Sequence, residues 1–178
     1  VDPDLTNVGR AVEILLDSQK PIIMAGGGVI LSGAFSELQA IAEFLTAPVV
    51  TTFKGKGSFP ENHPLAMGPI GMHGHPEANR IILEADCILA IGARFSDRSV
   101  GRFDEFGKGM NIIHLDIDPA EIGKNKSVDI AIVGDVKSSL RTMVKMLSKQ
   151  VVKKDRNSDW LKRRKDLIDY YMENIKDY

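Results

Sequence analysis

Short, unbroken apolar runs alternate in this chain with stretches whose apolar residues recur three or four positions apart. The clearest runs are residues 21–25 and 87–91, and each stops at a glycine. A run that is apolar at every position is typical of a strand buried on both faces, whereas the wider spacing is typical of an amphipathic helix. Strands buried on both faces need helices on each side, so the alternation predicts parallel strands joined by helical crossovers.

This pattern assigns most of the first 150 residues. Strands are predicted at residues 21–25, 47–52, 86–93, 111–116 and 129–133. Helices are predicted at about residues 5–16, 32–45, 77–85 and 136–147, and the Gly- and Pro-rich residues 53–74 are predicted as loop. The expected fold is an open, doubly wound α/β fold of the Rossmann-like (DHS-like) type. It has a mostly parallel, six-stranded sheet with helices on both faces, and the five runs account for all but one strand.

The composition excludes several classes of protein. Of the 178 residues, 43% are hydrophobic and 26% charged, as in a globular chain. No apolar run approaches the roughly 18 residues of a membrane span, and the acidic N-terminus has no feature of a secretion signal. The single Cys87 cannot form an internal disulfide. We therefore expect a cytoplasmic protein that does not contact a membrane.

Basic side chains are concentrated near the end of the chain, where residues 162–165 read Lys-Arg-Arg-Lys. A basic run of this length is more often the solvated face of a helix than a phosphate-binding patch. No nucleic-acid partner is predicted.

Glycine or polar residues follow each predicted strand. They are residues 26–28, 51–52, 92–94, 116–118 and 134–136. In open α/β sheets, ligands bind beyond the carboxyl ends of the strands, and glycines there allow backbone amides to approach a phosphate. A ligand site is therefore predicted at this edge of the sheet.

Two familiar nucleotide motifs are absent. Residues 26–31 lack the last glycine of G-x-G-x-x-G, and the next strand ends in threonines instead of an acidic residue. Residues 55–58 have neither the spacing nor the order of a phosphate-binding loop. Ordinary NAD and nucleoside-triphosphate folds are disfavoured.

No catalytic or metal motif emerges either. His73 and His75 in a glycine-rich loop, even with Asp116 and Asp118, are a weak metal signal. Arg94 follows a buried strand, where it could bind an anion or form only surface ion pairs. From the residues alone, the chain is a mononucleotide- or dinucleotide-binding domain without catalytic residues.

Five motifs occur together in a characteristic order. They are GGG at 26–28, TFKGKGSFP at 52–60, GMHG at 71–74, GARFSDR at 92–98 and HLDIDPAEIGKN at 114–125. With these motifs the chain resembles, over about residues 5–150, the central domain of the acetolactate synthase large (catalytic) subunits, which are thiamine-diphosphate enzymes. The string at 114–125 is the most specific of the five.

The resemblance implies an activity and a cofactor. Members of the family condense two pyruvates to 2-acetolactate, or pyruvate with 2-ketobutyrate, with release of CO2 in branched-chain amino-acid biosynthesis. Their central domain holds FAD, and thiamine diphosphate and Mg2+ are held by the other two domains. The chain by itself is therefore expected to be inactive.

The resemblance also implies which residues bind FAD. Near the first two strand ends these are Gly26, Gly27, Gly28, Thr52 and Phe53. Bordering the flavin are Ile70, Gly71, Met72 and His73, and along the cofactor lie Gly92, Ala93, Arg94, Phe95, Ser96 and Arg98. On the adenosine side are Asp116, Ile117 and Glu121, with Asp135 and Val136 completing the set. No catalytic or metal-binding residue is assigned.

Ser96 departs from the family pattern, which usually has an aspartate there. A hydroxyl can still bond to a cofactor oxygen, but the change leaves two alternatives open. One is a central domain that binds ADP, as in oxalyl-CoA decarboxylases, and the other is a central domain without cofactor, as in pyruvate decarboxylases. An NAD-dependent deacylase is disfavoured, because its catalytic His and zinc cysteines are missing.

The same resemblance implies the domain limits and partners. Residues 1–150 correspond to the FAD-binding domain, and residues 151–178 to a helical linker towards a C-terminal domain. Trp160 in this linker is expected to contact that domain and so to leave an exposed apolar stripe here. The implied partners are the N- and C-terminal domains of the same subunit, further copies in a homo-oligomer, and a regulatory small subunit.

Overall fold

The computed structural model describes residues 2–96, 107–150 and 158–174. The strands are β1 (Pro21–Ala25), β2 (Val49–Thr51), β3 (Ala66–Pro69), β4 (Cys87–Ile91), β5 (Asn111–Asp116) and β6 (Ile130–Val133). The helices are α1 (Leu5–Asp17), α2 (Gly27–Ser32), α3 (Phe35–Leu45), α4 (Pro76–Glu84), α5 (Val136–Ser148) and α6 (Ser158–Asn174), with a 3-10 turn at Phe53–Gly55. None of these helices combines the length and apolarity that a membrane crossing requires.

The six strands form one sheet in the order β3-β2-β1-β4-β5-β6, and every neighbouring pair is parallel. This confirms the predicted Rossmann-like, doubly wound fold. All five residues of β1 and all five of β4 are buried, as their unbroken apolar runs indicate. The chain winds outward in one direction from β1 to β3 and in the other from β4 to β6.

Each face of the sheet has its own core. Alternate residues of β1 point to opposite faces, so Ile23 packs with α1, α3 and α5, and Ile22 packs with α4 and α6. The first of these cores is closed by two helices that begin at aspartate caps. Asp4 accepts a hydrogen bond from the Thr6 amide, and Asp135 accepts one from the Ser138 amide.

Three elements lie where the sequence predicted none: the 3-10 turn, β3 and α2. Residues 53–74 are not all loop, because they contain the 3-10 turn and β3. The strand is hidden because its four residues, Ala66–Pro69, include a glycine and a proline, which it tolerates as an edge strand. Helix α2 follows β1 almost at once, whereas the first helical residue was predicted at Ser32; its glycine-rich start obscured it.

Helix α6 packs on the sheet, which corrects the expectation for Trp160. Its indole is 3% exposed, and Nε1 donates a hydrogen bond to the Pro21 carbonyl oxygen at 2.9 Å. Arg163 bonds twice to Glu84 of α4, both at 2.9 Å, and Arg164 donates to the carbonyl oxygen of Ala66 on β3. The Trp160 side chain therefore packs in the core under α4 and α6 and is not exposed for contact with another domain.

Replacing Trp160 by alanine is expected to lower the free energy of unfolding by about 3 kcal/mol, because a buried aromatic side chain and its hydrogen bond are lost. Urea denaturation followed by circular dichroism measures this, since Trp160 is the chain's one tryptophan and fluorescence is lost with it. The control is Tyr170→Ala on the exposed side of α6, with an effect below about 0.5 kcal/mol. Equal effects of the two substitutions would contradict the docking of α6 through Trp160.

The contact between Arg163 of α6 and Glu84 of α4 makes the free energy of unfolding depend on pH. Hydrogen bonds from Arg163 lower the pKa of Glu84 to about 2. Burial acts in the opposite direction, and Arg80 adds to the lowering. Since the unfolded chain has the ordinary value of 4.5, the stabilisation is complete above about pH 5 and is lost as the pH falls towards 2. We expect Glu84→Gln to be less stable than the wild type at pH 7 and to approach it at pH 3, whereas Glu173→Gln follows the wild type throughout.

Candidate functional site

The carboxyl ends of β1 and β4 meet at the point where the direction of winding reverses. The Gly26 amide donates to the Ile91 carbonyl oxygen at 2.9 Å, and the Gly28 amide donates to the Gly92 carbonyl oxygen at 3.0 Å. These two bonds join the segment after β1 to the segment after β4. The crevice above such a reversal is where doubly wound folds bind their ligands.

Glycines make this junction sterically feasible. A Cβ on Gly26 would lie 2.2 Å from the Gly92 carbonyl oxygen, and one on Gly28 would lie 2.6 Å from the Gly92 Cα. Gly92 itself has a φ of +53°, a conformation that favours glycine. The sequence predicts that these glycines allow a ligand to approach the backbone. In the structure, Gly26, Gly28 and Gly92 allow the segment after β1 to contact the segment after β4.

The loop after β3 is held by a residue that sequence reasoning missed. The Asn79 side chain accepts a hydrogen bond from the Gly71 amide at 2.8 Å and donates one to the Gly71 carbonyl oxygen at 2.9 Å. A Cβ on Gly74 would lie 2.5 Å from the Pro69 carbonyl oxygen, so the loop is also tightly closed. A sequence signal for these two hydrogen bonds exists: the motif at 71–74 is followed by an asparagine on the next helix.

Large apolar side chains are exposed at the predicted positions on this edge. Phe53 is 85% exposed, Met72 82% and Ile117 55%. Arg94 also extends into solvent, with 66% of its side chain exposed. Exposed apolar side chains with a cation beside them can accommodate a ligand that has both a planar ring and an anionic group.

Carboxylates lie on the β5 side of the edge. Glu121, whose side chain is 12% exposed, lies 3.4 Å from the Arg94 Nε and 3.4 Å from the Lys124 Nζ. Asp116 ends β5, and its Oδ1 accepts a hydrogen bond from the Asp118 amide at 3.0 Å. Arg94 and Glu121, which the sequence places 27 residues apart, are thus brought together.

Several predicted site residues serve the fold with their side chains. The buried side chains of Ile70, Ala93 and Phe95 belong to the core under α4 and α6, and Val136 belongs to the other core. Their possible contribution to a ligand site is through the backbone. Thr52 accepts a hydrogen bond from the Gly55 amide, and Asp135 caps α5. Gly27 and Ser96 are half-buried, His73 is exposed, and Arg98 lies outside the described residues.

His114 is a second residue that sequence reasoning missed. It is fully buried on β5, and its ring stands edge-on to Phe95 with 5.1 Å between the ring centroids. Burial lowers its pKa, while Asp116, the Ala93 backbone and Glu121 act in the opposite direction. Neither ring nitrogen has a hydrogen bond of normal geometry, an arrangement that costs about 1–3 kcal/mol for a buried polar group.

The described residues contain neither a metal-ligating cluster nor a reactive thiol. Within 2–96, 107–150 and 158–174, no three metal-ligating side chains come together. Burial raises the pKa of Cys87 to about 12, so this thiol is neutral and unreactive at ordinary pH.

Two cavities lie beside the crevice and not in it. One, of about 580 Å³, is lined by α3 and residues 57–60, and another, of about 280 Å³, adjoins β3, His75 and Glu77. The strand-end glycines line neither of them.

The fold is that of an α/β domain of the doubly wound class, and the candidate site lies at the reversal of its sheet. The chain belongs to the family "Thiamine pyrophosphate enzyme, central domain", whose model matches residues 8–143.

Curated relatives carry one shared description. A probable acetolactate synthase large subunit of Methanocaldococcus jannaschii is 51% identical over 156 residues, which are 88% of this chain and 26% of that protein. One of Methanococcus aeolicus is 46% identical over 94% of the chain and 27% of that protein, and the acetolactate synthase large subunit of Corynebacterium glutamicum is 42% identical over 89% and 25%. The resemblance inferred from the motifs is confirmed, and the chain spans about a quarter of the length of these relatives.

The contact between the two strand-end segments can be tested with a matched pair of glycines. Gly26→Ala is expected to lower the free energy of unfolding by about 1–3 kcal/mol, because its Cβ would overlap the Gly92 carbonyl oxygen. Gly9→Ala in α1, where no atom lies within 4 Å of the new Cβ, is expected to raise it by about 0.5–1 kcal/mol. Chemical denaturation compares the two, and a Gly26→Ala variant as stable as the wild type would contradict the contact.

Proposed function

We propose that this chain is the central domain of an acetolactate synthase large subunit and that the crevice between the ends of β1 and β4 holds FAD. The observation that carries the proposal is the set of exposed side chains around the crevice. Three are large and apolar, and the fourth, Arg94, pairs with the Glu121 carboxylate at 3.4 Å.

These side chains fit the parts of FAD. Phe53 and Met72 offer apolar surface to the isoalloxazine ring, and Arg94 offers a cation to the diphosphate. Asp116 and Glu121 can accept hydrogen bonds from ribose hydroxyls. The other residues assigned by resemblance, from Gly26 to Val136, remain predictions, and Ile70, Ala93, Phe95 and Val136 would contribute backbone groups only.

The remaining activity belongs to the full-length protein. There, other domains would hold thiamine diphosphate and Mg2+ and condense two pyruvates, or pyruvate with 2-ketobutyrate, releasing CO2. We propose that residues 1–150 form the FAD-binding domain and that residues 151–178 lead to the C-terminal domain, with α6 anchoring this linker to the sheet. A cytoplasmic homo-oligomer with a regulatory small subunit is part of the same proposal.

A ligand titration of the 178-residue chain tests the site. At 100 times its dissociation constant, FAD is expected to stabilise the fold by about 2.7 kcal/mol, which thermal unfolding detects, whereas NAD has no such effect. Arg94→Ala is expected to weaken FAD binding about tenfold, because a charge-assisted hydrogen bond is lost, and Arg10→Ala on the exposed side of α1 is the matched control.

The other outcomes of the titration are equally informative. Stabilisation by ADP but not by FAD would replace the proposal with an ADP-binding central domain, one of the two alternatives that Ser96 leaves open. No stabilisation by either ligand would contradict a nucleotide site in this chain. Acetolactate formed from pyruvate by this chain alone would contradict its assignment as one domain of a larger enzyme.

A further inference from the structure

His114 occupies a position where the sheet leaves room for a ring. Its register partners are two small residues, Ala90 on β4 on one side and Ala131 on β6 on the other. The imidazole is fully buried, and Ile112, two residues earlier on the same face of β5, belongs to the core under α4 and α6. Packing alone would be served by an apolar side chain of similar size.

Burial of the imidazole at this position costs free energy. Neither of its nitrogens has a hydrogen bond of normal geometry, so the interaction with the Ala93 backbone replaces only part of the contacts with water that the ring loses. Exchanging such a group for an apolar one of the same shape is often neutral or stabilising. The ring must therefore be explained by what it contacts.

Its contacts are with the segment that carries Arg94. The ring of Phe95 lies edge-on to it, and the Ala93 backbone is close enough to favour a proton on the imidazole. Ala93 and Phe95 are 1% and 3% exposed, whereas Arg94 between them reaches into solvent. The conformation of Arg94 is thus set by two buried neighbours that both adjoin His114.

Two carboxylates act on the charge of His114. Asp116 and Glu121 attract a proton to it, and Glu121 is itself paired with Arg94 and Lys124. The register partners on β4 and β6 are uncharged alanines. Burial outweighs this attraction and lowers the pKa of His114, so the ring is neutral at pH 7.

We propose that His114 is a positioning residue, whose neutral ring holds Ala93 and Phe95 so that Arg94 is presented to the ligand crevice. The role in ligand binding rests on the proposed FAD site. The role in shaping residues 92–96 does not, because it depends only on contacts within the chain.

The test uses His114→Leu, which keeps the volume but removes both nitrogens and the ring, and His114→Gln, which keeps a neutral polar group. In the ligand-free chain at pH 7.5, hydrogen exchange of the amides of residues 93–96 is expected to be about tenfold faster in His114→Leu, while the thermal midpoint is unchanged or higher. FAD affinity is expected to fall about tenfold in the same variant and to be partly restored in His114→Gln. His63→Gln, whose ring pairs with Glu43 away from the crevice, is the control.

A pH series separates positioning from simple packing. In the wild type, amide protection of residues 93–96 is expected to fall at acidic pH, below the ordinary histidine pKa of 6.5, because a proton on His114 would carry charge into the core. In His114→Gln the protection is expected not to change over this range. If His114→Leu does not fold, this comparison decides the question.

Three results would be conclusive. Wild-type exchange rates and FAD affinity in His114→Leu, or equal pH profiles of the wild type and His114→Gln, would overturn the positioning role. Faster exchange in His114→Leu, together with no FAD binding by the wild type, would retain the shaping of residues 92–96 and reject the proposed function. Faster exchange with weaker FAD binding would support both.

Discussion

The close contact between the backbone after β1 and the backbone after β4 is the constraint on which the site depends. Two hydrogen bonds join these segments, and glycines at Gly26, Gly28 and Gly92 leave no side chain between them. Because β1 and β4 are the central strands, this contact fixes where the sheet reverses its winding. Arg94 follows directly from it, so the direction in which the arginine leaves the sheet is set by the same junction.

The layer under α4 and α6 supports this junction from below. Phe95 and Ala93 continue from the junction into that core, and His114 meets them there. Trp160 closes the far end of the same core by binding to the first residue of β1. Helix α6 therefore stabilises the face of the sheet against which Ala93 and Phe95 pack.

The sequence was sufficient for the fold because the strands are buried on both faces. Unbroken apolar runs such as Pro21–Ala25 have few alternatives, and the glycines after them mark the strand ends. β3 could not be found in this way, since an edge strand of four residues with a glycine and a proline has no hydrophobic pattern. The docking of Trp160 was missed because composition changes near residue 150 although the packing continues.

The sequence indicates the edge of the sheet at which a site is proposed, but not what each side chain does there. Strand-end glycines and polar residues mark this edge, and the motifs identify the family. Which side chains face the crevice depends on tertiary contacts, so Phe95 and Val136 could not be recognised as core residues, nor Asn79 and His114 as supports. A buried histidine without normal hydrogen bonds has no signature in a single sequence.

Binding of FAD along the carboxyl ends of β1, β4 and β5 can be observed by two-dimensional ¹H–¹⁵N NMR of the labelled chain during an FAD titration, because each backbone amide reports on its own surroundings. We expect the largest shifts at Gly27, Phe53, Met72, Arg94 and Ile117. Shifts confined to α3 and residues 57–60, or no shifts at saturating FAD, would contradict it.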